Sequence, residues 1–180
     1  IIAGALKRSI DDGDIIAVSE KALSTAKGRM IDESEVKPGF LARFLARFWM
    51  RVIWGYFLGP VCHLKDENLR RILNYPLREG SAHKQVALRY ASFMQALMWG
   101  SEGGIDATNV PYSLVSLPLE SAKSVAEQIR AIISAQLGKS VAVAVVDSDK
   151  TYSCCGIHLA SRDTGIPGTV QLGFFAYMIG

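Results

Sequence analysis

The sequence is poor in the residues that build disulfide frameworks and structural zinc sites. It has three cysteines in 180 residues, at positions 62, 154 and 155, with no CxxC spacing. Its three histidines form no HExxH pattern or other metal-ligand spacing. Adjacent cysteines such as Cys154 and Cys155 are poorly placed to bridge each other, so we expect reduced thiols and a cytoplasmic protein.

Long uncharged apolar segments are also missing. The most apolar stretch, Phe40 to Val61, is interrupted by three arginines, and its longest uncharged run is well below the roughly 20 residues that span a bilayer. The N-terminus lacks a basic segment followed by an apolar core, so we expect neither a signal peptide nor a transmembrane helix. The abrupt apolar start at Ile1 is typical of a chain truncated at its N-terminus.

Neither sign of charge is in strong excess. Twenty Lys and Arg against seventeen Asp and Glu give a net charge of +3, which argues against a nucleic-acid binder. The basic residues concentrate in positions 37–90, which hold ten Lys or Arg and three acids. The motifs GxxxxGK[ST], GxGxxG and GxSxG are absent, so a nucleotide would be held by neither common glycine-rich loop.

The residues that are present predict one globular domain over positions 1–180. Hydrophobic residues make up 49% of the chain, enough for a substantial core. Apolar runs predict strands over 14–19 and 141–146, the second buried on both faces. Periodicity predicts helices over 66–74 and 119–137, while 78–84 is a predicted polar loop and 86–99 fits either a helix or a strand.

An amphipathic helix is predicted over positions 40–53. Its apolar side chains recur at helical spacing and are expected to face the core, with a stripe of solvated arginines at 43, 47 and 51 opposite them. A membrane-surface or partner contact is the alternative for this segment. The aromatic residues at its end favour a subunit interface as well as a core, and they are Phe48, Trp49, Trp54, Tyr56 and Phe57. We therefore expect a homodimer.

Two acidic loops could hold a divalent cation. Asp147-Ser148-Asp149 follows a predicted strand directly, where sheet proteins commonly place ligand-binding groups, and carboxylates suit Mg2+ or Mn2+. Gly103 to Asn109 is a second acidic loop, whose glycines permit unusual backbone conformations. Each loop alone is also compatible with ordinary turn capping. Lys21, Arg78 or the pair His83-Lys84 could neutralise phosphate, although each singly is compatible with a surface charge.

Three stretches together resemble the coenzyme F(420)-0:L-glutamate ligases, also called gamma-glutamyl ligases. They are Gly13 to Arg29, Gly103 to Asn109 and Val141 to Ser148, and their order and intervals also resemble those of the family. Glu20-Lys21 lies at the family's QK pair, and Thr25 replaces its second lysine. The resemblance covers roughly residues 5 to 150, and the stretch after about 150 is atypical of the family.

The resemblance implies an α+β fold with mixed and antiparallel sheets and packed helices. It also implies a nucleotide site and a metal site. The implied nucleotide-binding residues are Glu20, Lys21, Thr25 and Asn109. The implied ligands of Mg2+ or Mn2+ are Asp106, Asp147 and Ser148.

The function implied by the resemblance is a GTP-dependent ligase that joins L-glutamate, or a related amino acid, to a carboxylate of a coenzyme F(420)-0-like substrate. Two alternatives belong to other classes. One is a non-catalytic relative that binds a nucleotide or serves in assembly, and the other is a membrane-surface protein that acts through Phe40 to Val61. The atypical stretch after about 150 and Thr25 in place of lysine favour the non-catalytic relative.

Overall fold

The computed structural model describes residues 4, 9–99, 103–107, 113–147, 151–162, 164, 166 and 168–179. The chain forms two compact units, of which the first comprises Ile1–Lys27 with Leu119–Gly180 and the second comprises Gly28–Pro118. Helices accompany sheets with parallel and antiparallel pairing, which confirms the α+β class. A single ligase-like domain over 1–180 stays a prediction.

The first unit is built on a parallel strand pair. Strand β1, Ile15–Ser19, pairs with β4, Ala142–Val146, in a register that sets Ser19 opposite Val146. The helix Glu20–Ala26 follows β1 directly. The helix Ala122–Leu137 begins at Ser121, whose hydroxyl accepts a hydrogen bond from the Ser124 N–H, and it ends at Gly138 with a positive φ of 65°. This confirms the helix that the periodicity predicts.

A second sheet in the same unit lies later in the chain. Strand β5, Thr151–Cys154, is antiparallel to β6, Ile157–Ala160, which is in turn parallel to β7, Thr169–Gln171. The helix Phe174–Ile179 follows. The unit's core joins one face of the Ala122–Leu137 helix to β4 and its neighbours, through the buried residues Ile10, Leu119, Ala122, Val125, Ala126, Ile129, Ile133, Val141 and Val145.

The second unit is mainly helical. Its strands β2, Met30–Asp32, and β3, Leu114–Ser116, form an antiparallel pair. Its helices are the 3-10 helix Glu33–Glu35, the α-helix Phe40–Phe44, the π-helix Leu45–Leu58, and the α-helices Gly59–Val61, Asp66–Leu73, Leu77–Tyr90 and Phe93–Ala96. One cluster of its core consists of the buried residues Leu45, Val86, Ala87, Ala96, Ile105, Val115 and Leu117.

The predicted polar loop over 78–84 is wrong, because these residues belong to the helix Leu77–Tyr90. Its small residues Gly80, Ser81 and Ala82 are buried. A Cβ atom on Gly80 would lie 2.2 Å from Cε1 of Tyr75, so only glycine permits this approach. Glycine, which is typical of turns, here allows the helix to pack closely against the Tyr75 side chain.

The prediction that the apolar positions of 40–53 face the core is also wrong in part. The helical segment is present, yet Phe40, Phe44 and Phe48 are 86%, 43% and 44% exposed. Its buried side is instead formed by Ala42, Leu45, Ala46, Met50 and Trp54. Local periodicity fixes the spacing of side chains, whereas packing with the rest of the unit determines which side is covered.

Two tryptophans predicted for an interface take part in the interior of the second unit. The Nε1–H groups of Trp49 and Trp54 both donate hydrogen bonds to the Leu97 carbonyl, at 2.8 and 2.7 Å. Trp54 has no exposed surface, whereas Phe48, Tyr56 and Phe57 are exposed. Of the five aromatic residues predicted for an interface, these three remain available for the predicted homodimer.

Strand β4 is present as predicted but is not buried on both faces. Val145 is buried, while Ala142 and Val146 are exposed. The reason is that β4 belongs to a two-stranded sheet rather than to the interior of a wide one. Across the described ranges, no helix is long and apolar enough to cross a membrane.

Candidate functional site

Two of the predicted site residues follow the two strands of the parallel pair. Lys21 comes two residues after the end of β1, and Asp147 comes directly after the end of β4. Because β1 and β4 are parallel and Ser19 is opposite Val146, both residues follow the same edge of the sheet. Open parallel sheets bind ligands at this carboxyl edge. The first unit therefore brings a cationic and an anionic side chain to one edge.

The helix Glu20–Ala26 carries three of the predicted nucleotide-binding residues. It starts at Ser19, whose hydroxyl accepts a hydrogen bond from the Ala22 N–H at 3.5 Å. Lys21 is half-buried, and Thr25 lies one turn further on and is exposed. Residues four apart share a helix face, so the lysine ammonium and the threonine hydroxyl lie on one side.

Glu20 is buried and its carboxylate is fully engaged within the first unit. Oε1 accepts hydrogen bonds from the Leu119 N–H at 2.8 Å and from Nη2 of Arg162 at 2.7 Å, and Oε2 accepts one from Nη1 of Arg162 at 2.9 Å. This is the bidentate geometry in which guanidinium and carboxylate bind most strongly. The contacts hold the start of the helix that carries Lys21. A role of Glu20 in nucleotide binding stays a prediction.

Arg162 was not among the predicted site residues, and it lies 142 positions from Glu20 in the sequence. The sequence contained one indication that Glu20 has a basic partner. Glu20 stands where the resembled family has a neutral glutamine, and a buried carboxylate requires a cation to compensate its desolvation. An acid at such a position predicts a basic partner elsewhere in the chain, although not its location.

Asp147 has an unusual backbone. Its φ is +81°, one of the positive values at non-glycine residues in this chain, and its side chain is exposed. Aspartate tolerates this region better than most residues, but still at a cost in free energy. Residues held in such conformations cluster at functional sites, where the surrounding structure stabilises them.

Asp106 lies in the second unit, on a short segment that is fixed to strand β3. Its backbone N–H donates to the Ser116 carbonyl at 3.2 Å, and its carbonyl accepts from the Ser116 N–H at 2.9 Å. Gly103 and Gly104, which precede it, have positive φ values of 69° and 83°. A Cβ on Gly103 would lie 2.4 Å from Cβ of Ala91, so this loop needs its glycine.

The remaining predicted site residues, Asn109 and Ser148, lie outside the described residues. Asp106 and Asp147 belong to different compact units, and a metal shared by them stays a prediction. Within the described part of the chain, no three His, Cys, Asp or Glu side chains come together as a metal site.

Charged groups of the second unit surround the end of β2. The Asp32 carboxylate accepts hydrogen bonds from the Ser113 hydroxyl, the Ser34 hydroxyl and the Ser34 N–H, and these bonds lower the pKa of Asp32 in that order of size. His83 Nδ1 lies 2.6 Å from Oε1 of Glu33. These contacts fix a polar cluster beside the helix Leu77–Tyr90.

Lys84, one of the candidate phosphate-binding residues, is buried in the second unit. It has no exposed area, and its Nζ donates a hydrogen bond to the Met98 carbonyl at 2.8 Å. The Nζ also lies 5.9 Å from the centre of the Tyr75 ring, within the range of a cation–π contact. The surface-charge alternative is therefore wrong for Lys84.

Comparison with known proteins finds similarity to a protein family and to a relative from an archaeon. The family described as F420-0:Gamma-glutamyl ligase matches residues 1–164. The chain is also similar to a protein of Methanocaldococcus jannaschii named Uncharacterized protein MJ1361, with 35% identity over 184 aligned residues. The match includes the whole of this chain and 63% of that relative, so the chain spans under two thirds of the relative's length.

Proposed function

Because the chain belongs to the F420-0:gamma-glutamyl ligase family, we propose that it is part of a GTP-dependent ligase. The reaction joins L-glutamate, or a related amino acid, to a carboxylate of a coenzyme F(420)-0-like acceptor. The observation that carries this proposal is the carboxyl edge of β1 and β4, where the parallel register brings Lys21 and Asp147 to the same end of the sheet. Both residues belong to stretches that resemble the family.

The proposed chemistry proceeds in two transfers. The γ-phosphoryl group of GTP passes to an oxygen of the acceptor carboxylate, which gives an acyl phosphate and GDP. The amine of glutamate then attacks the acyl carbon, inorganic phosphate leaves, and an amide forms. Phosphoryl transfer depends mainly on positioning and electrostatic stabilisation, so the protein needs no nucleophile of its own.

Different residues of the first unit have different roles in the proposed reaction. Lys21 supplies a positive charge for the phosphates, and Thr25 offers a hydroxyl on the same face of its helix. Glu20 and Arg162 hold the first turn of that helix and thereby orient Lys21. These assignments make Glu20 and Arg162 positioning residues in the proposed enzyme.

A divalent cation fits the acidic side chains of the proposed site. The Asp147 carboxylate is exposed and makes no hydrogen bond to another described residue, so its oxygens are available to a hard cation. We propose that Asp147, together with Asp106 and Ser148, holds Mg2+ or Mn2+. A cation bound there would neutralise negative charge on the phosphates. Adding Mn2+ and GTP to crystals and locating the anomalous signal tests this ligand set.

A separate observation favours the alternative that this protein is a non-catalytic relative of the ligases. Both oxygens of Glu20 are engaged by Arg162 and Leu119, at a position where the resembled family has glutamine. Thr25 also stands in place of a lysine. If these differences abolish catalysis, the protein would bind GTP but would form no amide.

The test is a coupled assay on the purified protein with GTP, Mn2+, L-glutamate and coenzyme F(420)-0. The proposal predicts one GDP for each amide product, detected by mass spectrometry as acceptor plus glutamate minus water. Lys21→Ala should slow the reaction, while Lys27→Ala, an exposed lysine at the end of the same helix, should not. Saturable GTP binding without GDP or amide would favour the non-catalytic relative.

A further inference from the structure

The second unit contains a cavity of about 890 Å3, within the range of small-molecule sites. The cavity lies beside the helices Phe40–Phe44 and Leu77–Tyr90 and beside strand β3. Its apolar walls are formed by Val36, Pro38, Leu77, Ala82, Leu114 and Val115. Such walls can cover the apolar body of a ligand.

Three arginines line the same cavity. Arg43 and Arg47 are four residues apart on one helical face, and Arg78 comes from the first turn of the helix Leu77–Tyr90. All three are exposed, and among the described residues none has an acidic partner within ion-pair distance. In contrast, Arg51 on the next turn donates two hydrogen bonds to the Tyr75 carbonyl. The arginines of the cavity are therefore not needed to satisfy another described group.

Acidic side chains only partly balance this charge. Glu33 lines the cavity but lies 2.6 Å from His83, and Glu79 is exposed on the same helix as Arg78. Like charges four residues apart on a helix, as in Arg43 and Arg47, repel each other. A bound anion would relieve this repulsion, and guanidinium groups bind carboxylate and phosphate in bidentate geometry.

The hydroxyl groups that line the cavity offer a ligand fewer hydrogen-bond donors than the arginines do. Ser34 and Ser113 donate to Asp32, and Ser81 donates to the Leu77 carbonyl. Their hydrogens are thus already engaged within the protein. Recognition of a polar ligand would depend on the arginines.

We propose that this cavity binds a small organic molecule that carries at least two negative charges, as carboxylate or phosphate, on an apolar body. Ala107, the neighbour of Asp106, also lines the cavity, so the ligand would lie next to a predicted metal-binding segment. Identifying the ligand with the acidic acceptor of the ligase rests on the proposed function. The proposal that the cavity binds an anion does not rest on the proposed function.

Flavin mononucleotide is a suitable probe, because it joins a flat aromatic ring system with an apolar dimethylbenzene end to a phosphate. Riboflavin has the same ring system without the phosphate and serves as the matched ligand. Fluorescence titration should give a dissociation constant for flavin mononucleotide below about 1 mM and at least about tenfold lower than that for riboflavin. Equal affinity for the two compounds, or no saturable binding of either, would overturn the proposal.

Substitutions of the cavity arginines test whether flavin mononucleotide binds in this cavity. Arg43→Gln combined with Arg47→Gln should reduce the affinity for flavin mononucleotide to that for riboflavin, and Arg78→Gln should weaken it from the other helix by about tenfold. Arg71→Gln removes an exposed arginine of the same unit outside the cavity and should change nothing. Unchanged binding in all the cavity variants would refute the assignment.

A competition experiment separates this site from the nucleotide site. GTP should bind the Arg43→Gln/Arg47→Gln variant as it binds the unaltered protein, and it should not displace flavin mononucleotide. Competitive displacement by GTP would identify the cavity with the nucleotide site and overturn its identification with the acceptor site. Failure of GTP binding alone would refute the proposed function and leave the cavity result standing.

Discussion

Arg162 binds both carboxylate oxygens of Glu20, at 2.7 and 2.9 Å, across 142 positions of sequence. The two side chains are only 16% and 3% exposed. The ion pair connects the helix that begins after β1 with the segment that follows β6. Both residues lie within positions 1–164, the part of the chain that matches the family.

Removing Arg162 should leave an uncompensated buried carboxylate. We expect Arg162→Met to lower the free energy of unfolding by about 3 kcal/mol, and Glu20→Gln in the same chain to restore much of that loss. Urea denaturation of the single and double variants measures both changes. Arg71→Met, which breaks an exposed pair with Glu67, is the control and should cost under about 1 kcal/mol. Equal losses in Arg162→Met and Arg71→Met would contradict this account.

The positive φ of Asp147 predicts a particular order of stability among its variants. Glycine adopts φ of +81° without steric cost, while a β-branched side chain does not. Asp147→Gly should therefore be more stable than Asp147→Val by about 1 to 2 kcal/mol. Asp147→Asn should match the unaltered protein in thermal denaturation, because asparagine also tolerates this region. A valine variant as stable as the glycine variant would show that no strain is stored there.

The three hydrogen bonds to Asp32 predict a dependence on pH. They lower the pKa of Asp32 below its ordinary value of 3.8, so their stabilising effect is present above that pH and is lost as the pH falls through the folded-state pKa. Ser113→Ala removes the largest cause and should raise the pKa of Asp32. Titration of the Asp32 carboxyl carbon by NMR checks this. An identical titration curve in the two proteins would refute the role of the Ser113 hydroxyl.

The exposed aromatic side chains of the second unit support the proposal of a homodimer. Phe44 and Phe48 stack at 5.3 Å between ring centres, and both remain partly exposed. Each ring buried in an interface would contribute about 2 kcal/mol. Phe44→Ser combined with Phe48→Ser should shift the protein to a monomer in light scattering, while Ile132→Ser, at an exposed position of the first unit, should not. A protein that is already monomeric across a dilution series would exclude the dimer.

The sequence predicts the elements with strong local signals. Strands β1 and β4 and the helix Ala122–Leu137 have clear apolar patterns or caps, and all are present. The first turns of the helix Leu77–Tyr90 were missed because small and polar residues at 78–84 are typical of a loop, whereas Gly80 in fact packs tightly against Tyr75. Long-range pairs such as Glu20 with Arg162 depend on tertiary structure, and so does the covered side of the segment 40–53.

The same reasoning explains which parts of the site were predictable. The two strands that end just before Lys21 and Asp147 were predicted, whereas the parallel pairing that brings these residues to one edge is seen only in the structure. The arginine-lined cavity was not predicted, because Arg78 was placed in a loop and Arg43 and Arg47 on a solvated stripe. Its three arginines converge only through the packing of the helices in the second unit.

The central claim, that the carboxyl edge of β1 and β4 binds a guanine nucleotide, is tested most directly by calorimetric titration of GTP in the presence of Mn2+. A charge-assisted contact to phosphate contributes about 1.5 to 3 kcal/mol, so Lys21→Ala should weaken binding about ten- to a hundredfold. Lys27→Ala, whose exposed side chain follows the same helix, should bind GTP like the unaltered protein. Equal affinities in the unaltered protein and in both variants, or no binding of GTP at all, would contradict the claim.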